Sequence, residues 1–191
     1  MHGLLVVGYF LFALFFSLLV FVLWTRIALH YFRISTLHPV SQTINALTNP
    51  IIMPLNHMFG ISKTRINRYD WACFCVLVVV ELLKFTAIGS IFIGARLPWS
   101  FLPLYTLADL IVQPCNLLFY AIIIRVVMSW VNPGWHHPIA DLLRIVTEPL
   151  LRFGRRIIPN ISGFDFSPYF MMVALKVITL FISASLPLNI I

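Results

Sequence analysis

Charge is scarce in this sequence. Only 10% of its 191 residues are charged and 61% are hydrophobic, whereas a soluble domain carries about 25% charged residues. That deficit excludes an ordinary soluble domain, and a mean hydropathy of +0.97 places the chain in the membrane class. Cysteine is scarce too. Cys73, Cys75 and Cys115 all fall in apolar segments, and an odd number there gives no disulfide framework. Cys73 and Cys75 are two positions apart, so on a helix they point to different sides and form no metal clamp. Gly-rich phosphate loops and nucleophile motifs are absent. His137, Asp141 and Glu148 could share a helix face, but Pro138 follows His137 and no cysteine or third histidine lies near. The reading is therefore of a non-enzyme with no catalytic residues, no cofactor and no metal site.

What charge there is has a pattern. The formal net charge is +7, which by itself could suit nucleic acid. The cations instead lie in loops beside apolar spans, where the positive-inside rule accounts for them, so no nucleic-acid partner is expected. Leu4 to Trp24 contains no charge and is long enough to cross ~30 Å of hydrocarbon. No basic residue precedes it and no small-x-small cleavage site follows, so it predicts a first transmembrane helix, ending near Phe32, rather than a signal peptide. Further spans are predicted over Trp71 to Ile93, Tyr105 to Val131 (with Pro114 inside) and Ser167 to Leu186. Ser167 and Pro168 suit the cap and first position of the last helix, and Asp70 suits the cap of the second. The loop Arg33 to Tyr69 carries Arg33, Lys63, Arg65 and Arg68. The loop Asn132 to Phe166 carries Arg144, Arg152, Arg155 and Arg156, and the middle loop only Arg96. Both long loops are expected to be cytoplasmic and both termini periplasmic.

The chain also repeats itself. Shifting by 99 residues places Arg26 on Arg125, His38 on His137, Pro39 on Pro138, Thr48 on Thr147 and Pro50 on Pro149, with Tyr31 on Trp130. Beyond the loop the offset shortens to 95, placing Asp70 on Asp165. Each half then reads helix, polar loop, helix. Residues 1–95 form one repeat and 96–191 the other, in the same orientation and related by an axis along the membrane normal. The fold class is all-α: a polytopic membrane protein with four transmembrane helices and two cytoplasmic, interfacial, amphipathic, hairpin-like helical segments, arranged as two parallel repeats.

In the second loop segment, Ile139, Leu142, Leu143, Val146 and Leu150 recur at helical spacing, opposite Asp141, Arg144, Glu148, Arg152 and Arg155. Pro138 favours a helix start, and Pro149 is expected to break it into two short helices, 139–148 and 150–157. Two readings stand: a segment in the membrane interface, with Arg152, Arg155 and Arg156 on anionic headgroups at roughly 1 kcal/mol each, or a soluble helix packed on a partner's cytosolic face. The first loop segment keeps the apolar face (Ile44, Leu47, Ile51, Ile52), but Asn56 and His57 stand where Arg155 and Arg156 stand in the second.

Ionisable residues occur at membrane depth. Glu81 and Lys176 are equivalent at the 95-residue offset, and on helices both would sit near the midplane. Glu81 pairs either with Lys176 across the two halves or with Lys84 along its own helix. Asp109, Gln113, Asn116 and Tyr120 line one stripe of the third span, as hydrogen-bonding glue between helices or as the wall of a solute path in an oligomer. Arg26 and Arg125 are expected to snorkel to phosphates, with Tyr31 and Trp130 as interface anchors.

The motifs "R-x4-W" at Arg125 to Trp130, "HP" at His137, "TEPLLR" from Thr147, "RRIIP" from Arg155 through Pro159 and "GFDFSP" through Asp165, Ser167 and Pro168 resemble the YggT (YlmG-like) family of small membrane proteins. The first half carries a fainter copy, "TNPIIMPL". The resemblance covers nearly the whole chain, as two units. The family usually has a proline shortly before the paired arginines. Phe153 and Gly154 stand there instead, and Gly60 replaces the proline expected after the basic pair in the first half. The resemblance implies a bacterial inner-membrane or plastid-membrane protein, with links to cell division, osmotic-stress tolerance, nucleoid distribution and assembly of a b-type cytochrome. The expected function is a non-enzymatic scaffold or assembly factor that meets anionic lipid headgroups and a membrane-protein partner or a second copy of itself. The alternative is a component of a transport or osmotic-response system.

Overall fold

A computed structural model describes residues 2–58, 70–92, 99–131, 137–158 and 165–187. Pro159 and His136 lie outside them. Six α-helices follow in order: α1 (His2–Tyr31), α2 (Pro39–Met58), α3 (Trp71–Ala87), α4 (Leu102–Val131), α5 (Pro138–Ile157) and α6 (Ser167–Ala184). No strand occurs among the described residues. Four stretches are long and apolar enough to cross a membrane, at 29, 21, 30 and 18 residues, with α1, α3, α4 and α6 as their bodies. This is a membrane protein. In hydrocarbon each backbone N–H and C=O must be satisfied within the segment, which selects helices for these spans. Three half-buried or exposed hydroxyls follow the same rule. Thr25, Thr86 and Ser185 each donate to the carbonyl four residues back, at 2.8, 2.7 and 2.7 Å.

The helix ends show how the chain turns. α1 closes with Ile34 N–H on the Leu29 carbonyl at 3.0 Å, and Arg33 takes the left-handed φ of 55° that this cap demands. Asp70 caps α3 as expected, accepting from Cys73 N–H at 3.1 Å. Ser167 does not cap α6. It is the first helical residue, with a buried side chain, and Asp165 accepts from its N–H at 2.9 Å. α3 continues into a π-turn at Ile88–Phe92.

Two compact units divide the chain: 1–37 with 41–110, and 38–40 with 111–190. In the first, Leu23 of α1, Ile52 of α2 and Cys73 and Leu77 of α3 form the core, all at most 1% exposed. In the second, Ile122 of α4, Leu151 of α5 and Met171 and Leu175 of α6 do so.

Pro149 does not break α5, and α2 runs through Pro50 and Pro54. The expectation of two short helices is corrected. Proline removes one ladder bond and pushes aside a carbonyl in the preceding turn. Here Arg125 holds Thr147 and Glu148, just before the ring, at 2.8 and 2.9 Å, while buried Val146 and Leu151 hold the helix on both sides of it.

Candidate functional site

The duplicated arginine, threonine and aspartate build the same local arrangement in each unit. In the first, Arg26 Nη1 donates to Thr48 Oγ1 at 2.6 Å and to Asn49 Oδ1 at 2.9 Å, and Nε reaches Asp70 Oδ2 at 3.1 Å. Thr48 in turn donates to the Ile44 carbonyl. In the second, Arg125 Nη1 donates to Thr147 Oγ1 at 2.8 Å, and Thr147 to the Leu143 carbonyl. Arg125 Nη2 then meets Glu148 at 2.9 Å. Arg155 bridges Glu148 at 3.1 Å and Asp165 at 2.9 Å. Arg26 reaches its aspartate directly, whereas Arg125 is linked to Asp165 through Glu148 and Arg155. Each arginine of the α1/α4 pair is partly buried and tied to the loop helix that follows it.

These charges set one another's ionisation. Partial burial disfavours the Glu148 carboxylate, but hydrogen bonds and charge from Arg125 and Arg155 outweigh it and hold the group below the ordinary value of 4.5. Asp165 likewise is disfavoured by burial, yet Ser167 and Arg155 hold it below 3.8. The bond to Asp165, with the charge of Glu148 added, raises the Arg155 guanidinium above its already high value.

α5 is strongly two-faced. Ala140, Val146, Thr147, Leu151 and Gly154 are buried. Arg144, Arg152 and Arg156 are exposed beside exposed Ile145, Phe153 and Ile157. Among the described residues Arg144 meets only Asp141, at 3.9 Å. Arg155 is exposed as well, but two carboxylates hold its guanidinium. His137 accepts from Ile139 N–H at 3.2 Å and caps the helix. Gly154 is the point of closest approach to α6. A Cβ there would meet Met171 Cγ at 2.8 Å and Ser167 Cβ at 3.3 Å, which explains why a glycine stands at this position.

At membrane depth, Glu81 takes Lys84 as its partner at 2.6 Å. Lys84 also pairs with Asp109 of α4. All three are buried, and Lys84 lies 4.5 Å over the Phe85 ring. Lys176 instead sits 5.6 Å over the Phe119 ring and is exposed. Of the two partners open to Glu81, Lys84 is the one it takes, and Lys176 has a separate environment. The polar stripe divides too: Asp109 is buried, Gln113, Pro114 and Asn116 are half-buried, and Tyr120 is 58% exposed. The Lys84–Asp109 link escaped the sequence reading, because nothing in spacing joins residues on different helices. The Arg26–Asp70 link had a signal, since both members recur as Arg125 and Asp165.

Beside the four-charge network lies a cavity of about 800 Å³. Arg125, Ser129 and Trp130 of α4, Leu151 and Arg155 of α5, and Asp165, Tyr169 and Met172 are among the residues lining it. No group of three or more metal-ligating side chains occurs among the described residues.

Comparison with known proteins places this arrangement. The CCB3/YggT family matches residues 5–91 and again 103–186. An uncharacterised protein of Pseudomonas aeruginosa is 30% identical over 87% of this chain and 83% of its own length. One from the proC 3′ region of Vibrio alginolyticus is 34% identical over 87% of this chain and 88% of its own. The uncharacterised YggT of Escherichia coli K12 is 29% identical over 83% and 80%. No solved structure matches.

Proposed function

This chain belongs to the CCB3/YggT family, and on that basis we propose that it is a non-enzymatic scaffold or assembly factor of a bacterial inner membrane, serving cell-envelope, division or osmotic functions. Its long loops face the cytoplasm and its termini the periplasm. α5 lies in the headgroup layer and engages anionic lipid and a membrane-protein partner. One observation carries this reading: α5 buries one face in its unit and presents Arg144, Arg152 and Arg156 on another, interleaved with exposed apolar side chains. Such a helix is suited to an interface with apolar depth and negative charge.

A photocrosslinker at Phe153 in native membranes tests it. A discrete partner, captured by wild type and lost in Arg152→Gln/Arg156→Gln, supports the scaffold. Undiminished capture in that variant removes the arginines' role. The transport alternative draws on Glu81, Lys176 and the Asp109 stripe. The buried, mutually paired Glu81, Lys84 and Asp109 suit helix–helix glue better. Ion flux through reconstituted vesicles that disappears on replacing Asp109 would reverse that preference.

A further inference from the structure

The cavity in the second unit has walls of two kinds. Leu151 and Met172 give it apolar depth, and exposed Trp130 and Tyr169 stand at its rim. Amphipathic rings of this type sit at the level of lipid headgroups. Its charged wall presents both signs, Arg125 and Arg155 with Asp165 between α5 and α6. Together with Glu148 these groups are two cations and two anions, neutral overall. Arg155 uses two of its five N–H donors on carboxylates among the described residues, and guanidinium donors match phosphate oxygens in geometry.

The equivalent place in the first unit is built differently. Arg26 meets Asp70 directly, and Ile52, Cys73 and Leu77, at the positions of Leu151, Pro168 and Met172, are all 0% exposed. Two added charges in the second unit, Glu148 and Arg155, lengthen the bridge where a pair of asparagines, Asn49 and Asn56, stands in the first.

We propose that this cavity binds one glycerophospholipid with a zwitterionic, primary-amine headgroup. The phosphodiester lies against Arg125 and Arg155, the ammonium group against Asp165, and an acyl chain along Leu151 and Met172. A neutral wall of alternating sign favours a neutral ligand of alternating sign. A lipid of net negative charge would leave Asp165 facing its headgroup unfavourably. A quaternary amine could not donate a hydrogen bond to Asp165. The cavity uses neither Arg152 nor Arg156, so this binding and the scaffold face can fail separately.

The test is native mass spectrometry of delipidated full-length protein in mild detergent, titrated with phosphatidylethanolamine, phosphatidylglycerol or phosphatidylcholine of matched chains. The expected result is one tightly retained phosphatidylethanolamine per chain, with at least about tenfold preference over the other two. Arg155→Asn, which installs the residue of the first unit, should abolish retention. Asp165→Asn keeps an acceptor for the Ser167 N–H but removes the negative charge, and should reverse the preference towards phosphatidylglycerol. Arg152→Gln/Arg156→Gln should retain the bound lipid. Equal retention of all three lipids by wild type would overturn the proposal, as would a preference unmoved in both Arg155→Asn and Asp165→Asn.

Discussion

Asn49 and Asn56 in the first unit stand where the second has Glu148 and Arg155. The surrounding framework is shared: an arginine from a long apolar helix, a threonine on the loop helix that bonds back to its own helix, and an aspartate just before the next span. In the first unit the arginine closes directly on the aspartate beside the buried cluster of Leu23, Ile52, Cys73 and Leu77. In the second, an inserted acid–base pair extends the bridge, beside a cavity. A duplicated frame can therefore keep its arginine–threonine bond while two substitutions lengthen the route from arginine to aspartate.

The contrast is sharpest at membrane depth. Glu81 and Lys176 occupy equivalent positions, yet one is buried within an ionic triad and the other is exposed. Lys84→Met leaves Glu81 and Asp109 buried without a cation and should cost about 3–5 kcal/mol. Lys176→Met should cost less than about 1 kcal/mol. Thermal unfolding in detergent reads both, and similar losses would erase the distinction. Next in size is Gly154→Leu, which gives the second unit the residue at position 55. The new side chain meets Met171 and Ser167, so a loss of about 1–3 kcal/mol is expected, seen as weaker hydrogen-exchange protection of α5.

A pH dependence should separate the units further. Glu148 and Asp165 have folded-state values below their ordinary ones. Their contribution is therefore fully present above those ordinary values, and it is lost as pH falls through the depressed ones. Exchange protection of α5 should hold from neutrality down to the ordinary values of 4.5 and 3.8 and fade only below them. Fading already at pH ~6 would point to a different group. The smallest effect is at Arg33, whose φ is 55°. The 99-residue offset places Asn132 there in the second half. Arg33→Asn should stabilise the first unit by about 0.5 kcal/mol, because asparagine tolerates that conformation better.

Much of this molecule is legible in the sequence. The four spans emerge from apolar length, and the cap at Asp70 from residue type and position. Family resemblance was legible through motifs of the second half. Pro149 misled because local chain chemistry predicts a break, while the bonds from Arg125 to Thr147 and Glu148 and the packing of Val146 and Leu151 are tertiary. Arg155 misled for the same reason. Periodicity puts it on the polar side of α5, but only the fold brings Asp165 within reach of its guanidinium. Glu81 had two partners open to it, and proximity along one helix prevailed. Lys84 and Asp109 are 25 positions apart, and no periodic signal links them.

The close contact at Gly154 also has a consequence in time. The residues against which it fits, Ser167 and Met171, and the acid that anchors Arg155, all lie downstream of α5. Synthesis delivers domains and helices in chain order. During translation α5 therefore emerges when only α4 is there to receive it, through Ile122 and Arg125, and with Arg155 held by Glu148 but not yet by Asp165. Arrival of α6 completes the wall against Gly154 and the second carboxylate for Arg155.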